Sequence, residues 1–119
     1  MKKTLIGTFT NFEGLLLLSA FRGEIEVSRD GFFAGTMFDV GGRSEICGRF
    51  YGKKKNRIKF QKKYLLSTYL IKCCLRRTND GWTGKWRSSI SDGNSHFHEG
   101  EITMVIMKHE SVDIDTADT

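Results

Sequence analysis

Asp39, Lys62 and Tyr64 are a carboxylate, an ammonium and a phenol set in phase with large apolar residues. Asp39 ends the run Phe33-x-Gly35-x-Met37-x-Asp39, and the other two end Ile58-x-Phe60-x-Lys62-x-Tyr64. On an extended chain, residues two apart share a face. The three polar groups therefore fall on the same faces as Phe33, Met37 and Phe60. A charge among apolar side chains must be paired or neutralised, because desolvation is expensive. Two readings fit this set together with Asn11. One is a buried Asp39–Lys62 pair, with the Tyr64 hydroxyl completing its hydrogen bonds and the cluster fixing strand register. The other is a polar anchor for a small ligand among Phe33, Met37, Phe60, Trp82 and Trp86. No serine or cysteine nucleophile has a histidine at a recognisable spacing, so no catalytic residue and no enzyme are expected. Cys73, His96 and His98 could meet as a zinc site, but no Cys-x-x-Cys spacing supports one; no metal or cofactor is expected.

The elements that hold these residues share one rhythm. Ile46-x-Gly48-x-Phe50-x-Gly52 and Trp82-x-Gly84-x-Trp86 repeat the alternation of large and small residues at period two. Candidate strands are Thr4–Phe12, Leu17–Ser28, Phe32–Val40, Arg43–Tyr51, Arg57–Leu66, Tyr69–Arg77, Trp82–Ser88 and His98–Lys108. Asp30-Gly31 and Asp80-Gly81 are hairpin signals; Gly41-Gly42, Gly52 with Lys53–Asn56, and Asp92–Asn94 serve similarly. Loops this short join neighbours antiparallel, and closing the meander removes both edges. The expected fold class is all-β: an eight-stranded antiparallel up-and-down barrel. Alternation puts Ser44, Ile46, Gly48 and Phe50 inside and Arg43, Glu45, Cys47 and Arg49 outside. Ile71, Cys73, Leu75, Trp82, Gly84, Trp86, Ile102, Met104 and Ile106 fall inside by the same logic. The first two strands stay open, because Leu15–Leu18 breaks the alternation.

Three stretches resemble an avidin-like barrel of the calycin group. They are Gly7-Thr8-Phe9-Thr10-Asn11, Ala34-Gly35-Thr36-Met37-Phe38-Asp39 after Asp30-Gly31, and Ile46-Cys47-Gly48-Arg49-Phe50. Gly7-x-Phe9 also looks like the lipocalin Gly-x-Trp start with phenylalanine substituted. The resemblance implies the barrel and an avidin/lipocalin-like lumen. It does not imply biotin binding: the matching tyrosine position is Met37, the serine positions are Asp39 and Leu15, and only Asn11 keeps its type.

The 119 residues carry a net charge of +5 and no proline, which suits a chain that is mostly sheet. No apolar run approaches the ~20 residues of a spanning helix, and the opening Met1–Ile6 is not continued as a signal peptide. Three cysteines, two of them adjacent, imply free thiols and a cytoplasmic location. Residues 1–109 form one barrel domain, and the acidic stretch 110–119 is expected to be a disordered tail. Lys59, Lys63, Lys72, Arg76, Lys85 and Arg87 fall on outer faces of consecutive strands as a cationic wall, with Tyr51 the one clear stacking aromatic. That wall reads as a solvated surface or as a basic module for nucleic acid or an acidic protein. The leading expectation is a non-enzymatic barrel that binds a small hydrophobic or polar molecule in its lumen. A homo-oligomer with a filled core, meeting through Leu15–Leu18 and Leu65-Leu66, is a third reading; nucleic acid ranks behind the ligand, and no membrane partner is expected.

Overall fold

The computed structural model describes residues 1–11, 19–65, 70–89 and 98–108. They form eight strands: β1 (Lys2–Asn11), β2 (Ser19–Val27), β3 (Phe32–Asp39), β4 (Gly42–Tyr51), β5 (Arg57–Tyr64), β6 (Leu70–Arg77), β7 (Trp82–Ser89) and β8 (His98–Lys108). Each pairs antiparallel with the next, and β1 pairs with β8, so the sheet is a closed up-and-down barrel. This is the expected architecture, with strand ends within about two residues of the periodicity reading. Leu15–Leu18, Leu66, His96 and the acidic stretch lie outside the described residues. No helix among the described residues is long and apolar enough to cross a membrane.

The alternation assigns faces as expected, and the structure settles the two open strands. Leu5 on β1 and Phe21 and Ile25 on β2 are buried inside, while Ile6 points out. The core runs through Ile46, Ile58, Phe60, Leu75 and Ile102. An eight-stranded barrel is just wide enough for its own side chains to fill. At the end that carries the β2–β3, β4–β5 and β6–β7 turns, Phe33, Phe50, Phe60 and Trp82 pack ring against ring at 5.5–6.2 Å.

The turns follow their residues. Gly31 sits at φ +90°, where a side chain would be strained, and closes the β2–β3 hairpin as Asp30-Gly31 signals. The β4–β5 connection differs from a plain turn. A single 3-10 turn spans Lys53–Lys55, and Lys54 and Lys55 both take left-handed conformations.

The strand glycines do two jobs, of which the sequence pattern shows one. A Cβ on Gly7 would meet the tip of the Phe21 ring at 2.5 Å and come closer still to the Thr103 carbonyl oxygen, so this glycine makes room for a bulky inward neighbour as well as for the β8 backbone. At Gly84 the obstacle is backbone: a Cβ would lie 2.7 Å from Leu75 Cα and even closer to the Cys74 carbonyl oxygen. Tight coiling of a small barrel brings β6 and β7 into this approach. Gly84→Ala is expected to destabilise the barrel by about 2–3 kcal/mol, as overpacking does, in urea unfolding. Gly23→Ala, whose nearest atom is at 3.2 Å, is expected to cost clearly less.

Candidate functional site

At the other end of the lumen, where β1, β3, β5 and β7 finish, the inward positions turn polar. Asp39 is the last residue of β3, and Lys62 and Tyr64 are near the end of β5. Strand β4 lies between them, and its residue at this level is Ser44, small and fully buried. That leaves room for Lys62 and Asp39 to meet within the barrel. The Lys62 ammonium donates to Asp39 Oδ2 in an ion pair whose side chains are 1% and 2% exposed. The Tyr64 hydroxyl donates to the same oxygen at 2.8 Å, and the Gly41 backbone N–H donates to Oδ1 at 2.7 Å. Both carboxylate oxygens are thus occupied, as a buried charge requires.

Lys62 Nζ also lies 4.5 Å from the ring centroids of Phe9 and Tyr64. These faces take the ammonium where hydrogen-bond acceptors run out. Phe9 stacks at 4.6 Å on Phe21 and meets Trp86 edge to face at 6.3 Å. The Trp86 indole N–H donates to the Thr10 carbonyl at 2.9 Å, which fixes the ring against β1. Phe9, Tyr64, Ile71 and Trp86 all point inward yet remain partly exposed. Ser19 stands opposite Phe9 in register, and its Oγ is buried without a hydrogen-bond partner.

The structure splits the expected site residues into two groups. Asp39, Lys62, Tyr64 and Trp86 come together at this end. Met37 is fully buried in the core, Phe33 and Trp82 belong to the packed aromatic cluster at the opposite end, and Phe60, one inward position before Lys62, is buried and packs on Phe33 from the middle of the barrel. Asn11 ends β1 opposite Gly100, at the right level; its side chain is outside the described residues. Phe9, Phe21 and Ile71 complete the cluster and were not among the expected site residues. Phe9 was visible in the Gly7-x-Phe9 start, but the open face assignment of β1 hid its direction. Cys73 lies inside, buried between Phe60 and Trp86 in register. His96 is outside the described residues, and no group of metal-ligating side chains occurs among the described ones.

Burial drives the ionisation of this cluster. It lowers the Lys62 pKa, with the hydrogen bond and charge of Asp39 working against it. It raises Tyr64 well above the ordinary phenol range, with the Asp39 hydrogen bond and charge adding to the effect. It pushes the Cys73 thiol up to about 12, opposed by the Lys62 charge.

No protein-family model matches the chain, and no curated protein does. Among solved structures, a redesigned β-barrel, mFAP1, bound to DFHBI, is similar at 15% identity and a TM-score of 0.49, over 84% of this chain and 90% of that one.

Two outcomes test the cluster. Lys62→Met leaves Asp39 buried without its counter-charge and is expected to cost about 3–5 kcal/mol. Asp39→Asn together with Lys62→Met keeps an acceptor for the Gly41 N–H, lets the Tyr64 hydroxyl turn to accept from the new amide NH2, and is expected to recover at least half of that loss in urea melts. The pH dependence has two opposing parts. Between its lowered pKa and ~10.5, folded Lys62 has released a proton that the unfolded chain still binds, so its contribution to stability rises with pH there. Tyr64 behaves oppositely: above ~10 the unfolded phenol ionises while the folded one does not, so its stabilisation is lost as pH climbs. Absorbance near 295 nm is therefore expected to show a tyrosine that ionises only as the far-UV circular dichroism collapses, and Tyr64→Phe is expected to remove that step.

Proposed function

We propose that this barrel is a non-enzymatic, cytoplasmic binding protein that takes a small planar, largely apolar molecule at the Asp39–Lys62 end of its lumen. The observation behind this reading is the set of inward rings and aliphatics at that end, Phe9, Tyr64, Trp86 and Ile71, which stay partly exposed above a closed polar floor. Elsewhere the described lumen is occupied by its own side chains, so the ligand sits near the mouth and not along the barrel axis.

The floor supplies rigidity more than charge. Asp39 and Lys62 cancel, and their hydrogen bonds hold Tyr64 in place; the Thr10 carbonyl does the same for Trp86. A planar ligand then meets rings that are already oriented, which lowers the ordering cost of binding. Aromatic and apolar walls with a few fixed polar groups are the usual composition of small-molecule sites. The neutral floor favours an uncharged ligand over an ion.

A native mass spectrum of protein purified from its own host tests this. The expected result is an added small mass that disappears in Trp86→Ala. Titration with the uncharged, largely planar dye Nile red is expected to give a saturable blue shift, again lost in Trp86→Ala but kept in Trp82→Phe. A bare chain mass from every preparation, together with dye fluorescence that ignores Trp86→Ala, overturns the reading.

A further inference from the structure

The outer wall of the barrel is not evenly charged. Strands β5, β6 and β7 carry no acidic residue. Their outward positions hold Arg57, Lys59, Lys63, Lys72, Arg76 and Lys85, all exposed. Neighbouring strands lie about 4.8 Å apart and alternate residues on one strand about 6.7 Å apart, so these cations form a dense lattice. Acidic residues return only at its borders. Glu45 on β4 stands opposite Lys63, and Glu101 and Glu99 on β8 stand opposite Lys85 and Arg87. Arg87 reaches Glu99 at 3.7 Å. Six like charges on one convex face repel one another, and nothing in the core requires them there.

A groove of about 210 Å³ crosses this wall. Tyr51, Arg57, Cys74, Arg76 and Lys85 line it, together with the backbone at Gly84. Two cations lie to one side of the Tyr51 ring, Arg49 at 5.5 Å and Lys59 at 5.4 Å from its centroid, and they stand opposite each other in register. A second ring stands beside it. Phe32 is 56% exposed and pairs with Arg49, which puts it diagonally across from Tyr51, about 7–8 Å away. Its outward phase was legible in β3, but its place at the edge of the basic wall needed the register of β3 on β4. Tyr51 is therefore not alone as a stacking surface.

We propose that the β4–β7 wall is a binding site for single-stranded nucleic acid. Bases stack on Tyr51 and Phe32, and backbone phosphates run along the groove over Arg57, Arg76 and Lys85. A cationic track beside aromatic rings is the arrangement that holds unpaired strands with little sequence preference. A duplex hides its base faces and could not use the rings. An acidic protein segment could use the cations but has no bases to stack on Tyr51 or Phe32. The site is on the opposite side of the barrel wall from the lumen, so it stands or falls independently of the ligand reading.

Fluorescence anisotropy with labelled twelve-nucleotide oligo-dT and oligo-U strands tests it. Contacts to about three phosphates give a salt slope near −2.1, so affinity is expected to fall about 18-fold between 50 and 200 mM salt. Arg57→Ser with Arg76→Ser is expected to cut that slope to about a third. Tyr51→Ala is expected to weaken binding about tenfold at every salt concentration without changing the slope. Lys2→Ser with Arg22→Ser, on the β1–β2 side, is expected to change neither. Thermal melts of each variant establish that it is folded. The proposal is overturned by no binding at 50 mM salt, by a slope unchanged in the double arginine variant, or by tighter binding of a duplex. It is equally overturned if Tyr51→Ala binds normally and poly-glutamate competes as well as the oligonucleotides, which would make the wall a docking face for acidic proteins.

Discussion

Closure of the sheet by β1 against β8 is the constraint on which the rest of this molecule depends. Once the ladder has no edge, every strand has one dry face and one wet face, and a one-residue slip anywhere would exchange them. Closure also sets the bore. With eight strands there is space for one set of inward side chains and little else. Met37, Ile58 and Ile102 are accordingly sealed from solvent. The glycines follow from the same constraint: tight coiling presses adjacent backbones together at Gly84, and the narrow bore presses Phe21 toward Gly7.

The buried ion pair is understandable only inside that closed space. Asp39 and Lys62 come from strands that are not neighbours, with β4 between them. Their contact ties β3 to β5 across the interior, at the end of the barrel where apolar packing gives way. Desolvation makes such a pair costly, and the structure offsets that cost with every donor available: the ammonium, the phenol and the Gly41 N–H on the carboxylate, and two ring faces under the ammonium. An apolar replacement of similar volume would pack as well, but it would not dictate which residue faces which.

The two faces of the wall have divided the chemistry. Inside, among the described residues, buried charge is confined to one neutralised pair set among apolar and aromatic side chains. Outside, charge is segregated by strand: β5–β7 are uniformly basic, while Thr8 and Thr103 share a hydrogen bond on an uncharged stretch between β1 and β8. Segregation of this kind is invisible to net charge, because +5 spread evenly would attract nothing in particular.

The amino-acid sequence determined the strands, the antiparallel order and the face of nearly every residue, because a period of two and a glycine in a turn are local properties of the backbone. Asp39, Lys62 and Tyr64 were legible as inward polar residues for the same reason. What only the tertiary structure decided is height along the barrel. Alternation says in or out; it does not say at which level, since the stagger between strands is set by closure of the whole sheet. That is why Phe33 and Trp82 read as companions of Lys62 and lie instead at the opposite end, and why Phe9 and Phe21 joined the site unannounced. The same stagger brought Phe32 beside Tyr51 on the outer wall. Local chemistry chose the face, and the global hydrogen-bond register chose the neighbours.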